Sequence, residues 1–134
     1  VDYYDDYAHH PTEIKTVLDG VNKVFVGYDK VCIFQPHRIS RLKDLKKEFT
    51  YAFKNADLVI LCPIFTAGEK IKLGFSYKSF AKEIVKNSKV KLFMVENYVQ
   101  LAKFLKGNMY GKKIVVGMGA GSISNWMKEL PNLL

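Results

Sequence analysis

Val31-Cys-Ile-Phe-Gln-Pro-His-Arg-Ile-Ser-Arg-Leu-Lys-Asp-Leu45 changes its period halfway along. Val31 to Phe34 are four apolar residues in succession, the pattern of a short strand buried on both faces. Gln35-Pro36 ends it, because proline has no N–H to give to a strand ladder. From Ser40, a candidate N-cap, Leu42, Leu45, Phe49 and Phe53 recur at helical spacing. His37, Arg38 and Arg41 stand at the junction.

The same alternation runs outward in both directions. Leu58 to Cys62 reads as a buried strand ended by Pro63, Val90 to Val95 as another, and Ile114 to Val116 as a fourth. Phe80 and Ile84 mark a helix opened by Ser76 or Ser79. Val99 to Leu105 mark a short one closed by Gly107. Ile123, Trp126, Met127 and Leu130 mark a last helix stopped by Pro131. Upstream, Val1 to Tyr7 reads as a strand, followed by a loop over 6–10 and a helix from Pro11 to about Val21. Proline suits the first helical position, and Glu13 suits the first turn. Residues 22–29 carry no clear period. The expectation is α/β: a Rossmann-like, doubly wound, mostly parallel sheet with helices on both faces, in a single domain over 1–134.

Composition narrows the setting. The chain has 134 residues, 49% of them hydrophobic, and a formal charge of +8. No apolar run approaches the roughly 20 residues of a membrane span, and no secretory leader pattern is visible. Cys32 and Cys62 lie inside apolar strands and read as reduced core thiols, which points to cytosol. The positive charge favours anionic partners, but the lysines are spread along the wet sides of helices. The aromatics fall at core spacings, which argues against a nucleic-acid-binding module. The start at Val1, straight into a strand, reads as a piece of something longer.

Ligands of such sheets bind beyond the carboxyl ends of the strands. Four polar clusters fall there: Asp5 to His10, Gln35 to Arg41, Phe65 to Lys70 and Gly117 to Ser122. Asp5 and Asp6 can cap a turn, and the two histidines lack the spacing of a metal site. Arg38 and Arg41 open a helix whose dipole disfavours cations, so a bound carboxylate or phosphate would repay the conflict. Gly117-Met-Gly-Ala-Gly121 matches a dinucleotide fingerprint only partly, and it also suits a tight, closely packed turn. No G-x-x-x-x-G-K-[ST] loop occurs to hold nucleotide phosphates.

Taken together, Asp5-Asp-Tyr-Ala-His-His-Pro-Thr-Glu13, Phe34-Gln-Pro-His-Arg-Ile-Ser-Arg41, Ala67-Gly-Glu69 and Met118-Gly-Ala-Gly121 resemble the third domain of the Mur ligase family. Within it they are similar to the ligases that join L-alanine to UDP-N-acetylmuramate. The resemblance implies a three-domain, cytoplasmic enzyme of peptidoglycan synthesis whose UDP-sugar domain and central P-loop domain lie outside this chain. ATP would phosphorylate the sugar carboxylate, and the amine of L-alanine would attack the acyl phosphate. Magnesium would sit mainly on the central domain, so neither a catalytic residue nor a metal ligand is expected in this piece. By position, Asp6 resembles the acid that binds the ATP ribose. His9, Arg38 and Arg41 resemble residues facing the amino acid. His10 and His37 match as supports, while Ala67, Gly68, Glu69, Gly119, Ala120 and Gly121 match the shape of the rim. Thr66, where proline is usual, and Ser122, where Asp or Asn is usual, depart from the family pattern. The related ligase that attaches a murein tripeptide to the same sugar shares the Asp-Asp-x-Ala-His-His-Pro theme. A stand-alone nucleotide sensor is the remaining alternative.

Overall fold

The computed structural model describes residues 1–65 and 76–133. Strands β1 (Asp2–Asp6), β2 (Asp29–Phe34), β3 (Leu58–Leu61), β4 (Lys91–Met94) and β5 (Lys113–Met118) form one sheet in the order β1-β5-β2-β3-β4. Every pairing is parallel. The helices are α1 (Pro11–Val24), α2 (Ile39–Asp44), α3 (Lys46–Tyr51), α4 (Tyr77–Ser88), α5 (Tyr98–Asn108) and α6 (Ile123–Leu133).

Two cores explain why the central strands are apolar without alternation. Cys32, Phe34, Val59, Leu61, Ile114 and Val116 face α1 to α4, where Ile14, Leu18, Phe49, Phe53, Phe80 and Ile84 are buried. Their neighbours Val31, Ile33, Ile60 and Val115 face α5 and α6, packed with Leu101, Leu105, Ile123, Met127 and Leu130. Connections that move from β2 towards β4 cross on the first face, and the return to β5 crosses on the second, as right-handed crossovers require. Burial pushes the Cys62 thiol up to about 12 and raises that of Cys32 as well, with Cys62 adding to the second shift. Both cysteines are free and buried, so they pack as small apolar groups.

Four expectations are corrected. Ser40 is not the N-cap of the helix after β2: it lies inside α2, whose N-cap is Arg38. The expected continuous helix breaks at Leu45, although Leu42 and Phe49 on either side both stay buried, so the apolar spacing outlasts the break. Gly107 does not close α5, which runs through it to Asn108, where the Asn108 amide donates back to the Phe104 carbonyl at 2.7 Å. Pro131 does not stop α6 but lies in its last turn, at the cost of the one backbone N–H that proline lacks.

What positions the site is the register. Asp6 pairs with Met118, Met118 with Phe34, Phe34 with Leu61 and Leu61 with Met94. All five strands end on this one line, so every cluster that follows a strand opens onto the same rim.

Candidate functional site

The rim has two walls. The first follows β1 and is held by bonds to its own neighbours. The Asp6 carboxylate accepts from the Ala8 N–H at 2.9 Å, closing a tight turn. Glu13, in the first turn of α1, accepts from the N–H groups of His9 and His10 at 3.4 and 3.1 Å. His9 Nδ1 lies 2.9 Å from the Tyr7 carbonyl. A carbonyl only accepts, so Nδ1 carries the hydrogen and the lone pair of neutral His9 sits on Nε2. Asp5 accepts from the Ser124 hydroxyl at 2.7 Å, tying this wall to α6.

The second wall follows β2 and depends on distant partners. The N–H of Phe65 donates to the Pro36 carbonyl, and that of Arg38 to the Phe65 carbonyl, both at 2.8 Å. Arg38 takes φ 68, a left-handed value that costs a non-glycine residue about 1–3 kcal/mol. Gln35 is 3% exposed. Its amide N–H donates to the Ser122 hydroxyl at 2.9 Å, and its oxygen accepts from the Ile123 N–H at 3.0 Å. Sequence reasoning put Gln35 and Ser122 in separate rim clusters but did not join them, because they lie 87 residues apart and no local pattern links them.

Between the walls lie the end of β5 and the turn after it, and close packing accounts for the three glycines there. A Cβ on Gly117 would meet Met127 Cγ at 2.3 Å, one on Gly119 the Gln35 carbonyl at 2.8 Å, and one on Gly121 Phe65 Cγ at 2.5 Å. The Ile123 N–H at the start of α6 is already taken by Gln35.

Side chains from both walls converge. Rings of Tyr7, His9, His37 and Phe65 form a row with centroid separations of 5.3, 5.8 and 5.5 Å. His10, Ser40, Asp44 and Leu45 line one open cleft together with Arg38 and Arg41. His10, expected only as a support, therefore shares the arginines' cleft. Arg38 is the N-cap of α2, where the helix dipole disfavours a cation as expected, but Arg41 falls in the last turn of this six-residue helix, so the dipole does not single out both arginines. The strained backbone sets Arg38 further apart. Asp6 stands apart from the cleft, two strands from β2, or about 10 Å. Gly119, Ala120 and Gly121 follow β5, the strand between β1 and β2. Ala67, Gly68 and Glu69 lie outside the described residues. Among the described residues, no three His, Cys, Asp or Glu side chains group as metal ligands would. Within the same limit, no helix is long and apolar enough to cross a membrane.

Residues 1–121 match the family described as Mur ligase, glutamate ligase domain. The chain belongs to the Mur ligase family. Among its relatives, the UDP-N-acetylmuramate–L-alanine ligase of Pelagibacter ubique (strain HTCC1062) is 70% identical over 132 residues, covering 98% of this chain and 28% of that protein. The chain thus spans little more than a quarter of the length of the curated relatives it matches. A crystal structure of the Mur ligase UDP-N-acetylmuramate–alanine ligase from Thermotoga maritima superposes with a TM-score of 0.72 at 26% identity, over 95% of this chain and 25% of that one. A murein peptide ligase from Psychrobacter arcticus superposes equally well, with a TM-score of 0.73 at 18% identity, over 96% of this chain and 26% of that one. The fold is thus shared with both proteins.

Proposed function

We propose that this chain is the third domain of an ATP-dependent cytoplasmic ligase that forms the amide between UDP-N-acetylmuramate and L-alanine, with magnesium held mainly by the central domain. The observation that carries this reading is Arg38, held in a strained conformation on the rim beside Arg41, His10 and the His9–His37 pair. Backbone strain persists only where surrounding contacts over-determine it, and it concentrates at working sites. Two guanidinium groups in one open cleft suit the carboxylate of a free amino acid, which a fork of N–H donors reads from two directions. His9 Nε2, with its lone pair, suits the amine at the other end of the same small molecule.

Asp6 fits the ribose of ATP. Its Oδ1 is spent on the Ala8 N–H, and among the described residues Oδ2 accepts nothing, which leaves it for a ribose hydroxyl. ATP supplies the phosphoryl group that activates the sugar carboxylate, chemistry that belongs to the P-loop domain. A murein tripeptide has a free amine too, but the high identity to an alanine ligase favours the smaller substrate. A nucleic-acid role is disfavoured because Phe34, Phe49, Phe53 and Phe80 are core residues rather than stacking platforms.

The test is a double dissociation in the full-length protein. Asp6→Ala should raise the KM for ATP and leave that for L-alanine nearly unchanged, while Arg38→Ala should do the reverse. An Asp6→Ala enzyme impaired only for L-alanine would mean that the two sites are exchanged.

A further inference from the structure

The strained segment at Arg38 needs an anchor, and most of its bonds are main-chain bonds that any sequence could make. The Gln35 N–H donates to the Met118 carbonyl at 3.0 Å, and the bonds from Phe65 to Pro36 and Arg38 are main-chain bonds, with the Phe65 ring stacked on His37 between them. The Gln35 side chain is different. It needs a donor and an acceptor at once, set on one planar amide and buried, to reach Ser122 and Ile123 on the turn after β5. The absence of a side chain at Gly119 lets that turn close against the Gln35 carbonyl, at 2.8 Å from where a Cβ would stand.

We infer that Gln35 is a positioning residue for the amino-acid site. By bolting the β2 loop to the glycine turn, its amide holds Arg38 in the geometry that presents a guanidinium to the substrate carboxylate. This rests on the proposed role of the arginines. The consequence is specific to one substrate: loosening the bolt moves Arg38 but leaves Asp6, whose turn is closed by its own local bond. An error of about 1 Å in a positioning group can cost up to about 100-fold.

The experiment uses the full-length ligase and measures KM for L-alanine and for ATP, with kcat. Gln35→Leu keeps the volume and removes both bonds; KM for L-alanine should rise about tenfold, with KM for ATP within about twofold. Gln35→Glu should restore KM for L-alanine to within about threefold, since the Ser122 hydroxyl can rotate to donate to a carboxylate or accept from a carboxylic acid. Should Gln35→Leu fail to fold, Ser122→Ala reads the same split at a half-exposed position, with a rise of about threefold. A purely structural Gln35 would lower Tm and leave the KM ratio alone, and that result overturns the inference. Equal rises for both substrates, or no rescue by Gln35→Glu, overturn it too. Arg38→Ala runs alongside. If Arg38→Ala leaves KM for L-alanine unchanged, the reading of the arginines has failed; if it raises that KM and Gln35→Leu does not, only the role of Gln35 has.

Discussion

The loop after β1 and the loop after β2 end on the same line of the sheet and face one another, yet they are built differently. The first is held mainly from within: Asp6 bonds Ala8, and Glu13 bonds His9 and His10, over two to four residues, with one distant tie from Ser124 to Asp5 at its base. The second is held from 87 and 88 residues away through Gln35, and it pays for its geometry with a left-handed Arg38. A loop closed mainly by local bonds can keep its shape when its surroundings shift. A loop bolted to its neighbour keeps a fixed bearing for one small substrate. The difference implies that damage to the two walls should look unlike in both size and selectivity.

The largest effect is expected at the contact between the second wall and the glycine turn. Gly119→Ala places a methyl 2.8 Å from the Gln35 carbonyl at φ 150, so overpacking and strain should together cost about 3 kcal/mol, read by urea unfolding. Next comes Arg38 itself. Arg38→Gly relieves the left-handed backbone where Arg38→Ala does not, so the glycine variant should be the more stable of the two by about 1 kcal/mol. Both should lose L-alanine selectivity, which would separate the strain from the function it serves. Equal stability of the two variants would mean the conformation costs nothing.

Effects on the first wall should be smaller and local. Asp6→Ala gives up the bond to Ala8 and should lose about 1 kcal/mol, whereas Asp6→Asn, whose amide oxygen can still accept, should keep most of it. Glu13→Ala removes an acceptor from exposed N–H groups at the start of α1 and should cost about 0.5 kcal/mol by thermal unfolding. A loss at Glu13 as large as that at Gly119 would erase the contrast between the walls.

The contrast also sets what was legible in the sequence. Apolar runs such as Val31 to Phe34 and Leu58 to Cys62 read correctly as doubly buried strands, and their carboxyl ends led to the rim. Pro11 and Glu13 marked the start of α1, because capping is a matter of three or four residues. Ser40 misled for the same reason. It has the chemistry of an N-cap, but the backbone is steered by Phe65, which bonds Pro36 and Arg38 from outside any local window. The break at Leu45 was hidden because Leu42 and Phe49 keep a helical spacing across it. The role of Gln35 was the costliest omission: a glutamine before a proline looks like the end of a strand, and only the parallel register that sets β5 beside β2 reveals its partners.

The account turns on whether Arg38 and Arg41 read a carboxylate, and one comparison addresses that directly: kcat/KM of the full-length enzyme for L-alanine and for L-alaninamide, in the parent, Arg38→Ala and Arg41→Ala. A hydrogen bond to a charged group is worth about 1.5–3 kcal/mol, so losing one fork should lower kcat/KM for L-alanine by roughly 10- to 150-fold. The amide, which lacks the charge, should fall far less, so at least one variant loses most of the parent's preference for the acid. Full retention of that preference in both variants would contradict the account and move the arginines to another anion, phosphate first.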